Sequence, residues 1–122
     1  MSTSELGLVA EELAASFLRL TGHEVLARRY VSRGSEIDIV ARSAGRLVFV
    51  EVKFRRTSGH GLPREAVDAR KRRRIALAAR GFLAERGIVD CACRFDVIEV
   101  WLEPGGLVLG LRHIPGAFGL DW

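Results

Sequence analysis

The apolar positions of the first twenty residues recur every three or four residues, which is the helical period. They are Leu6, Val9, Leu13, Phe17 and Leu20. This spacing predicts a helix from Glu5 to Leu20. Ser2 and Glu5 have the spacing of a capping box, and Gly22 is a suitable residue for the turn that ends the helix.

After this helix the pattern changes to alternating β-branched and polar residues, which indicates strands. One strand is predicted at 23–31, and two more at 36–42 and 47–54. The last two are joined by a tight turn centred on Ala44 and Gly45. A turn at this position pairs residues whose numbers add up to 89, as expected for antiparallel neighbours.

Four charged residues interrupt these two central strands. The predicted register sets Asp38 opposite Glu51, and Glu36 opposite Lys53. Because side chains alternate between the faces of a strand, all four should share one face of the sheet. The other face should carry the apolar residues Ile37, Ile39, Val50 and Val52. The charged positions therefore predict a polar cluster on one side of an otherwise apolar sheet.

A second helix is predicted from Pro63 to Arg86, with Gly87 after its end. Its apolar stripe consists of Val67, Ile75, Ala78, Ala79, Phe82 and Leu83, and its opposite face carries Arg70, Arg73, Arg74 and Arg80. Lys71 is unusual because it lies within the apolar stripe. Two further strands are predicted at 94–101 and 106–114. The chain is thus expected to be an α/β domain over 1–122, with a mixed central sheet flanked by helices in the order α-β-β-β-α-β-β.

The composition is that of a globular protein, with 48% hydrophobic and 28% charged residues in 122. No apolar run reaches the roughly 18 residues that span a bilayer, and the first residues lack the basic region of a signal peptide. Cys91 and Cys93 are too few for a disulfide framework or a structural zinc site. These features predict a cytoplasmic protein with reduced cysteines and no membrane partner.

The net charge is +4, and only two of the 19 basic residues are lysine, so the rest are arginine. Excess positive charge favours polyanionic partners, and arginine binds phosphate with a planar, bidentate fork. A solvated basic surface is the alternative. Composition alone does not separate the two.

Asp38 and Glu51 on adjacent strands should bring two carboxylates within a few ångströms, where each raises the pKa of the other. A divalent cation relieves this repulsion, and Mg²⁺ favours one or two carboxylates together with water and phosphate oxygens. Lys53 could stabilise charge on a phosphoryl group. Either Glu11 or Glu12 of the first helix could complete the metal shell. The alternative is a buried ion-pair network, for example between Glu36 and Lys53.

The chain also resembles a known family. Asp38, followed by Glu51-Val52-Lys53 thirteen residues later, resembles the split motif of the PD-(D/E)XK nuclease superfamily. Nearly the whole chain is similar to the YraN-like family of small bacterial proteins, predicted endonucleases related to archaeal Holliday-junction resolvases. The similar segments are Gly7…Glu11…Ala14…Leu18…Gly22, Glu36-Ile37-Asp38-Ile39-Val40-Ala41, Val48-Phe49-Val50-Glu51-Val52-Lys53-Phe54-Arg55, Gly61…Glu65-Ala66-Val67…Lys71…Ile75 and Arg94-Phe95-Asp96-Val97. Ser35 and Arg29 depart from it, standing where the family usually has glycine and asparagine.

The resemblance implies a restriction-endonuclease-like fold and a metal-dependent endonuclease that acts on DNA, with branched, Holliday-junction-like DNA as a candidate substrate. Asp38, Glu51 and Glu11 would bind Mg²⁺ or Mn²⁺, Lys53 would stabilise the transition state, and Glu36 would be a supplementary acid. The candidate DNA contacts are Arg55, Lys71, Arg70, Arg73 and Arg74. A symmetric homodimer would suit junction cutting. The alternatives are a nucleic-acid-binding module that does not cleave and a scaffold whose acidic cluster is structural.

Overall fold

The computed structural model describes residues 1–56 and 68–119. The helices are α1 (Thr3–Leu20) and α2 (Ala69–Glu85). The strands are β1 (Glu24–Ser32), β2 (Ser35–Ser43), β3 (Arg46–Arg56), β4 (Ala92–Leu102) and β5 (Val108–Phe118). The predicted α/β class and the element order α-β-β-β-α-β-β are therefore confirmed.

The five strands form one mixed sheet in the spatial order β1-β2-β3-β4-β5. Each strand pairs antiparallel with its neighbours, except that β3 and β4 run parallel. A parallel pair requires a crossover connection, and α2 lies on the connection between β3 and β4. The sheet thus combines a meander of three strands with one crossover unit.

Helix α1 begins at Thr3, two residues before the predicted start, and ends at Leu20 as predicted. The capping box is formed, since the Glu5 N–H donates to Ser2 Oγ at 3.1 Å and the Ser2 N–H donates to Glu5 Oε1 at 2.9 Å. The predicted apolar stripe is only partly correct, because Leu20 is 87% exposed. Alanines on the neighbouring face are buried instead, and their small side chains let the helix pack closely on the sheet. They are Ala10, Ala14 and Ala15.

Helix α2 begins at Ala69, so the prediction of a helix that runs unbroken from Pro63 is wrong. Asp68 has extended backbone angles (φ −72°, ψ 167°), and its side chain accepts from the Lys71 N–H at 2.8 Å, which caps the helix. Residues 57–67, which include Pro63 and Val67, lie outside the described residues. In the rest of the predicted stripe Leu83 is partly buried, and the buried residues are Ile75, Ala78, Ala79 and Phe82.

The two helices cover opposite faces of the sheet, with a hydrophobic core under each. The α1 core includes Ile39 and Val50, and the α2 core includes Ile37 and Phe49. The prediction that Ile37 and Ile39 share a face is therefore wrong. Arg29 lies between the β1 residues that pair with these two, and its φ is +48°. A left-handed residue interrupts regular pleating, which shifts the alternation of β2 next to Asp38.

The last strand is longer than predicted, since β5 continues to Phe118 instead of ending at 114. Phe118 stacks on Phe95 with ring centroids 5.4 Å apart, which ties the end of the strand to the α2 core. Cys91 and Cys93 are free thiols. No helix in residues 1–56 or 68–119 has the length and apolarity to cross a membrane.

Candidate functional site

Asp38 and Glu51 lie at the point where the pairing of β2 with β3 ends. The predicted register is confirmed from Ser43–Arg46 to Ile39–Val50, which is the last pair of the ladder. Beyond that pair, the Val52 N–H donates to Asp38 Oδ2 at 2.7 Å. A backbone donor of β3 therefore orients the carboxyl group of β2, and the end of the ladder leaves room for both acids.

The two carboxyl groups interact directly. Burial is the largest cause that raises the pKa of Asp38, and the charge of Glu51 and a side-chain hydrogen bond with Glu51 raise it further. The hydrogen bond from the Val52 N–H lowers the pKa and so opposes these effects. The result is a pKa of about 7 for Asp38. Glu51 is only 8% exposed. Because water has little access to these two acids, their mutual repulsion favours the binding of a proton or a cation.

Lys71 supplies a positive charge to this pair. Its Nζ forms an ion pair with Glu51 Oε1. Burial works against the charged lysine, but the hydrogen bond and the charge of Glu51 outweigh it and raise the pKa of Lys71. The position of Lys71 in the apolar stripe of α2 thus brings its ammonium group over the sheet and onto the acid of β3.

These groups line an open cleft of about 580 Å³. We call it the basic cleft after the three basic side chains that α2 brings to it, although four acids also line it. The charged residues in its lining are Glu36, Asp38, Glu51, Asp68, Arg70, Lys71 and Arg74. The arginines come from the exposed first turns of α2, as the sequence pattern predicted. An acidic centre with a basic rim can attract a polyanion to the rim and hold a cation at its base.

Asp38 also lines a second cleft of about 500 Å³ on the α1 side, which we call the α1 cleft. Glu11 lies in this cleft, and its charge adds to the rise in the pKa of Asp38. Both of its oxygens are paired, with Arg28 Nη2 and Arg29 Nε at 3.1 Å each. Glu12 instead pairs with Arg28 Nη1 at 2.6 Å. Of the two acids proposed from α1, Glu11 is therefore the one near Asp38.

A family model described as "Uncharacterised protein family UPF0102" matches residues 10–100. A UPF0102 protein of Desulforapulum autotrophicum is 47% identical over 116 residues, which cover 95% of this chain and 94% of the relative. The chain belongs to the UPF0102 family. A second member, from Moorella thermoacetica, is 41% identical over 118 residues, with coverage of 97% and 98%. A third, from Geobacter sulfurreducens, is 44% identical over 118 residues, with coverage of 96% and 91%.

Three of the predicted site residues lie apart from the Asp38–Glu51 pair. Lys53 is partly buried on β3 and is not among the described residues that line either cleft. Its predicted position opposite Glu36 is not part of the ladder, which ends at Ile39–Val50. Arg55 Nε and Nη2 each lie 3.3 Å from Oε2 of Glu99, which is buried. Arg73 is exposed on α2.

A second charged cluster surrounds Asp96 on β4. The sequence pattern did not predict it. Arg94 donates two hydrogen bonds to Asp96, at 2.8 and 2.9 Å, and His113 Nε2 lies 2.7 Å away. Burial alone would raise the pKa of Asp96, but the bonds from Arg94, the Gly116 N–H and His113 lower it. The feature of the sequence that could have indicated this cluster is Asp96 itself, an acid within the apolar run of β4. With its charge paired, this cluster is structural.

The contact between Lys71 and Glu51 leads to a prediction about metal binding. Lys71→Met removes the charge and keeps most of the apolar stem, so a divalent cation no longer competes with the ammonium group for Glu51. We expect Mn²⁺ to bind about tenfold more tightly, which corresponds to about 1.4 kcal/mol. Titration calorimetry in metal-free buffer measures this. Arg73→Met is the control, since it removes the same charge from the exposed face of α2, and an equal gain in both variants would contradict the prediction.

Proposed function

We propose that this UPF0102 protein is a metal-dependent endonuclease that hydrolyses phosphodiester bonds in DNA, with branched DNA as a candidate substrate. The observation that carries the proposal is that two carboxyl groups, of the partly buried Asp38 and the buried Glu51, line the same cleft, the basic cleft. The similarity of Asp38…Glu51-Val52-Lys53 to the split nuclease motif supports it further. Both observations concern the same two acids.

The residues at this site fit a divalent cation. Asp38 and Glu51 supply the one or two carboxylates that Mg²⁺ or Mn²⁺ takes when water and phosphate complete the shell. Within residues 1–56 and 68–119, no group of three or more His, Cys, Asp or Glu is arranged around a metal position. Glu11, with both oxygens on arginines, is thus a neighbour that could join after releasing one of them. A bound cation would activate water and stabilise charge on the phosphate.

The protein's own residues then have distinct roles. The Val52 N–H fixes the orientation of Asp38. Arg70 and Arg74 at the rim of the basic cleft bind backbone phosphates, and Lys71 exchanges Glu51 for a substrate phosphate. Lys53, two residues after Glu51, lies outside the described lining of both clefts, so its proposed role in stabilising the transition state is supported by the motif alone.

A nucleic-acid-binding module without cleavage is the second candidate. The ion pair between Lys71 and Glu51 favours it, because an ammonium group already neutralises one of the two acids. Under this alternative, the basic rim would bind DNA and the acids would only position Lys71. The two candidates share the DNA partner and differ in whether a cation is used.

A cleavage assay separates the two. Supercoiled, single-stranded, duplex and four-way-junction DNA are incubated with the protein and Mg²⁺, Mn²⁺ or EDTA. The nuclease proposal predicts nicking or cutting of at least one substrate with metal and none with EDTA. Binding of DNA without any cleavage across all substrates and both metals would leave the binding module as the function.

The basic rim leads to a prediction about salt. Each phosphate bound by a basic side chain releases counterions, so log K falls with log salt by about 0.9 per phosphate on duplex DNA. Replacing Arg70, Arg73 and Arg74 together by glutamine should weaken binding to all sequences alike and flatten the slope by about one unit for each phosphate that is no longer bound. Fluorescence anisotropy at several salt concentrations measures the slope. An unchanged slope would mean that this face of α2 points away from DNA.

A further inference from the structure

The α1 cleft has an apolar wall and a charged end. Gly7 and Leu8 of α1 face Val52 and Phe54 of β3 across it, and Leu8 remains 46% exposed. The charged end is formed by Glu11, Arg29 and Asp38. Because Arg28 and Arg29 pair with Glu11, that acid's charge is compensated. The cleft therefore suits a ligand with a flat apolar face and polar edges.

The glycine at position 7 of α1 leaves open space in this cleft that the packing of the protein does not require. A glycine inside a helix is destabilising relative to alanine, because it loses more backbone freedom on folding. A Cβ atom at Gly7 would meet only Phe54 Cε1, at 3.8 Å, which is an ordinary van der Waals contact. The packing around α1 would accept a side chain here. A small residue at this position keeps the α1 cleft open.

The α1 cleft adjoins the proposed active site at Asp38, which lines both clefts. A nucleic-acid strand bound along the basic cleft with a phosphate at Asp38 would place an adjacent nucleotide beside the α1 cleft. Base-paired nucleotides are stacked inside the duplex and cannot enter such a pocket. An unpaired one can, and its base would lie on the apolar wall.

We propose that the α1 cleft binds the base of one unpaired nucleotide next to the phosphate held at Asp38. This inference rests on the proposed function and narrows it to DNA with an unpaired nucleotide at the site of binding. Leu8 and Phe54 pack against the base, and the half-exposed guanidinium of Arg29 faces its polar edge. Stacking of a base on an aromatic side chain such as Phe54 stabilises binding and tolerates any base, because every base has a π-face.

The test uses three duplexes of the same sequence: fully paired, with a one-nucleotide bulge, and with an abasic bulge. Affinities are measured by anisotropy in EDTA, so that cleavage is not needed. Wild type should bind the bulged duplex about tenfold more tightly than the abasic one, since 1.4 kcal/mol is tenfold in affinity. Gly7→Leu should fill the α1 cleft and remove this difference. Gly7→Ala, which adds only a methyl group, should keep most of it.

The outcomes distinguish this inference from the proposed function. Equal affinity of wild type for the bulged and abasic duplexes would overturn the base pocket and leave DNA binding intact. A preference that persists in Gly7→Leu would place the base elsewhere and would overturn it too. Absence of binding to all three duplexes would argue against the proposed function itself. Urea unfolding of Gly7→Leu checks its fold, and the wild-type comparison of the two bulges stands independently of that variant.

Discussion

Asp38→Asn is expected to abolish metal-dependent cleavage while leaving the protein at least as stable as wild type. The substitution removes one of two carboxylates proposed to hold the cation, and several kcal/mol of lost transition-state stabilisation correspond to a fall of about 10³-fold or more. Asparagine keeps an oxygen that can accept from the Val52 N–H. It also ends the repulsion with Glu51, so the free energy of unfolding in EDTA should stay equal or rise.

The structural interpretation of the acidic cluster predicts the opposite change in stability. Removing one partner of a buried ion pair costs roughly 3 to 5 kcal/mol. Urea unfolding in EDTA, beside cleavage assays in Mg²⁺, distinguishes the two for Asp38→Asn and Glu51→Gln. Asp90→Asn is the matched control, because Asp90 is exposed outside both clefts and its φ of +56° suits asparagine. Losses of several kcal/mol in both site variants would show that the acids stabilise the sheet.

The stability of the metal-free protein is expected to decrease as the pH rises from 5 to 8. Asp38 has a pKa of about 7 in the folded state, against an ordinary value of 3.8. The folded protein therefore holds a proton that the unfolded chain has already released. The contribution of this group is fully present below pH 4 and is lost as the pH passes 7. Integrated from pH 5 to 8, the loss is about 2 to 3 kcal/mol.

The measurement is urea unfolding at half-unit pH steps in EDTA, for wild type and Asp38→Asn. Subtracting the two curves cancels the titrating groups that do not interact with Asp38, so the difference reports Asp38 together with its coupling to Glu51. Wild type should lose the stated amount relative to Asp38→Asn, mostly between pH 5 and 7, and the difference should level off above pH 7. A difference that does not vary with pH would mean that Asp38 ionises normally. Millimolar Mn²⁺ should restore the stability of wild type at pH 8, since binding to the folded state stabilises it.

The position of Asp38 explains why one residue affects both stability and the proposed chemistry. Counted from the turn, the ladder between β2 and β3 ends at Ile39–Val50, so Asp38 is the first β2 residue beyond the ladder. Arg29 on the neighbouring strand has a left-handed conformation. These two irregularities place the carboxyl group between the two helical layers, where it lines both clefts and interacts with Glu51.

The sequence by itself determined the features that depend on local spacing. The element order follows from hydrophobic periodicity, and the capping box of α1 from the spacing of Ser2 and Glu5. The turn at Ala44 and Gly45 set the register of β2 and β3. That register brings the β2 segment with Asp38 close to the β3 segment with Glu51, because the pairing of two adjacent strands depends on the turn between them.

Only the tertiary structure decided the contacts between elements that are distant in the chain. Lys71 reaches Glu51, and Arg28 and Arg29 hold Glu11. Each of these choices depends on how two layers pack and on which charge lies nearest after packing. Periodicity along one chain segment carries no information about that, so the partners of the acids emerge only from the folded arrangement.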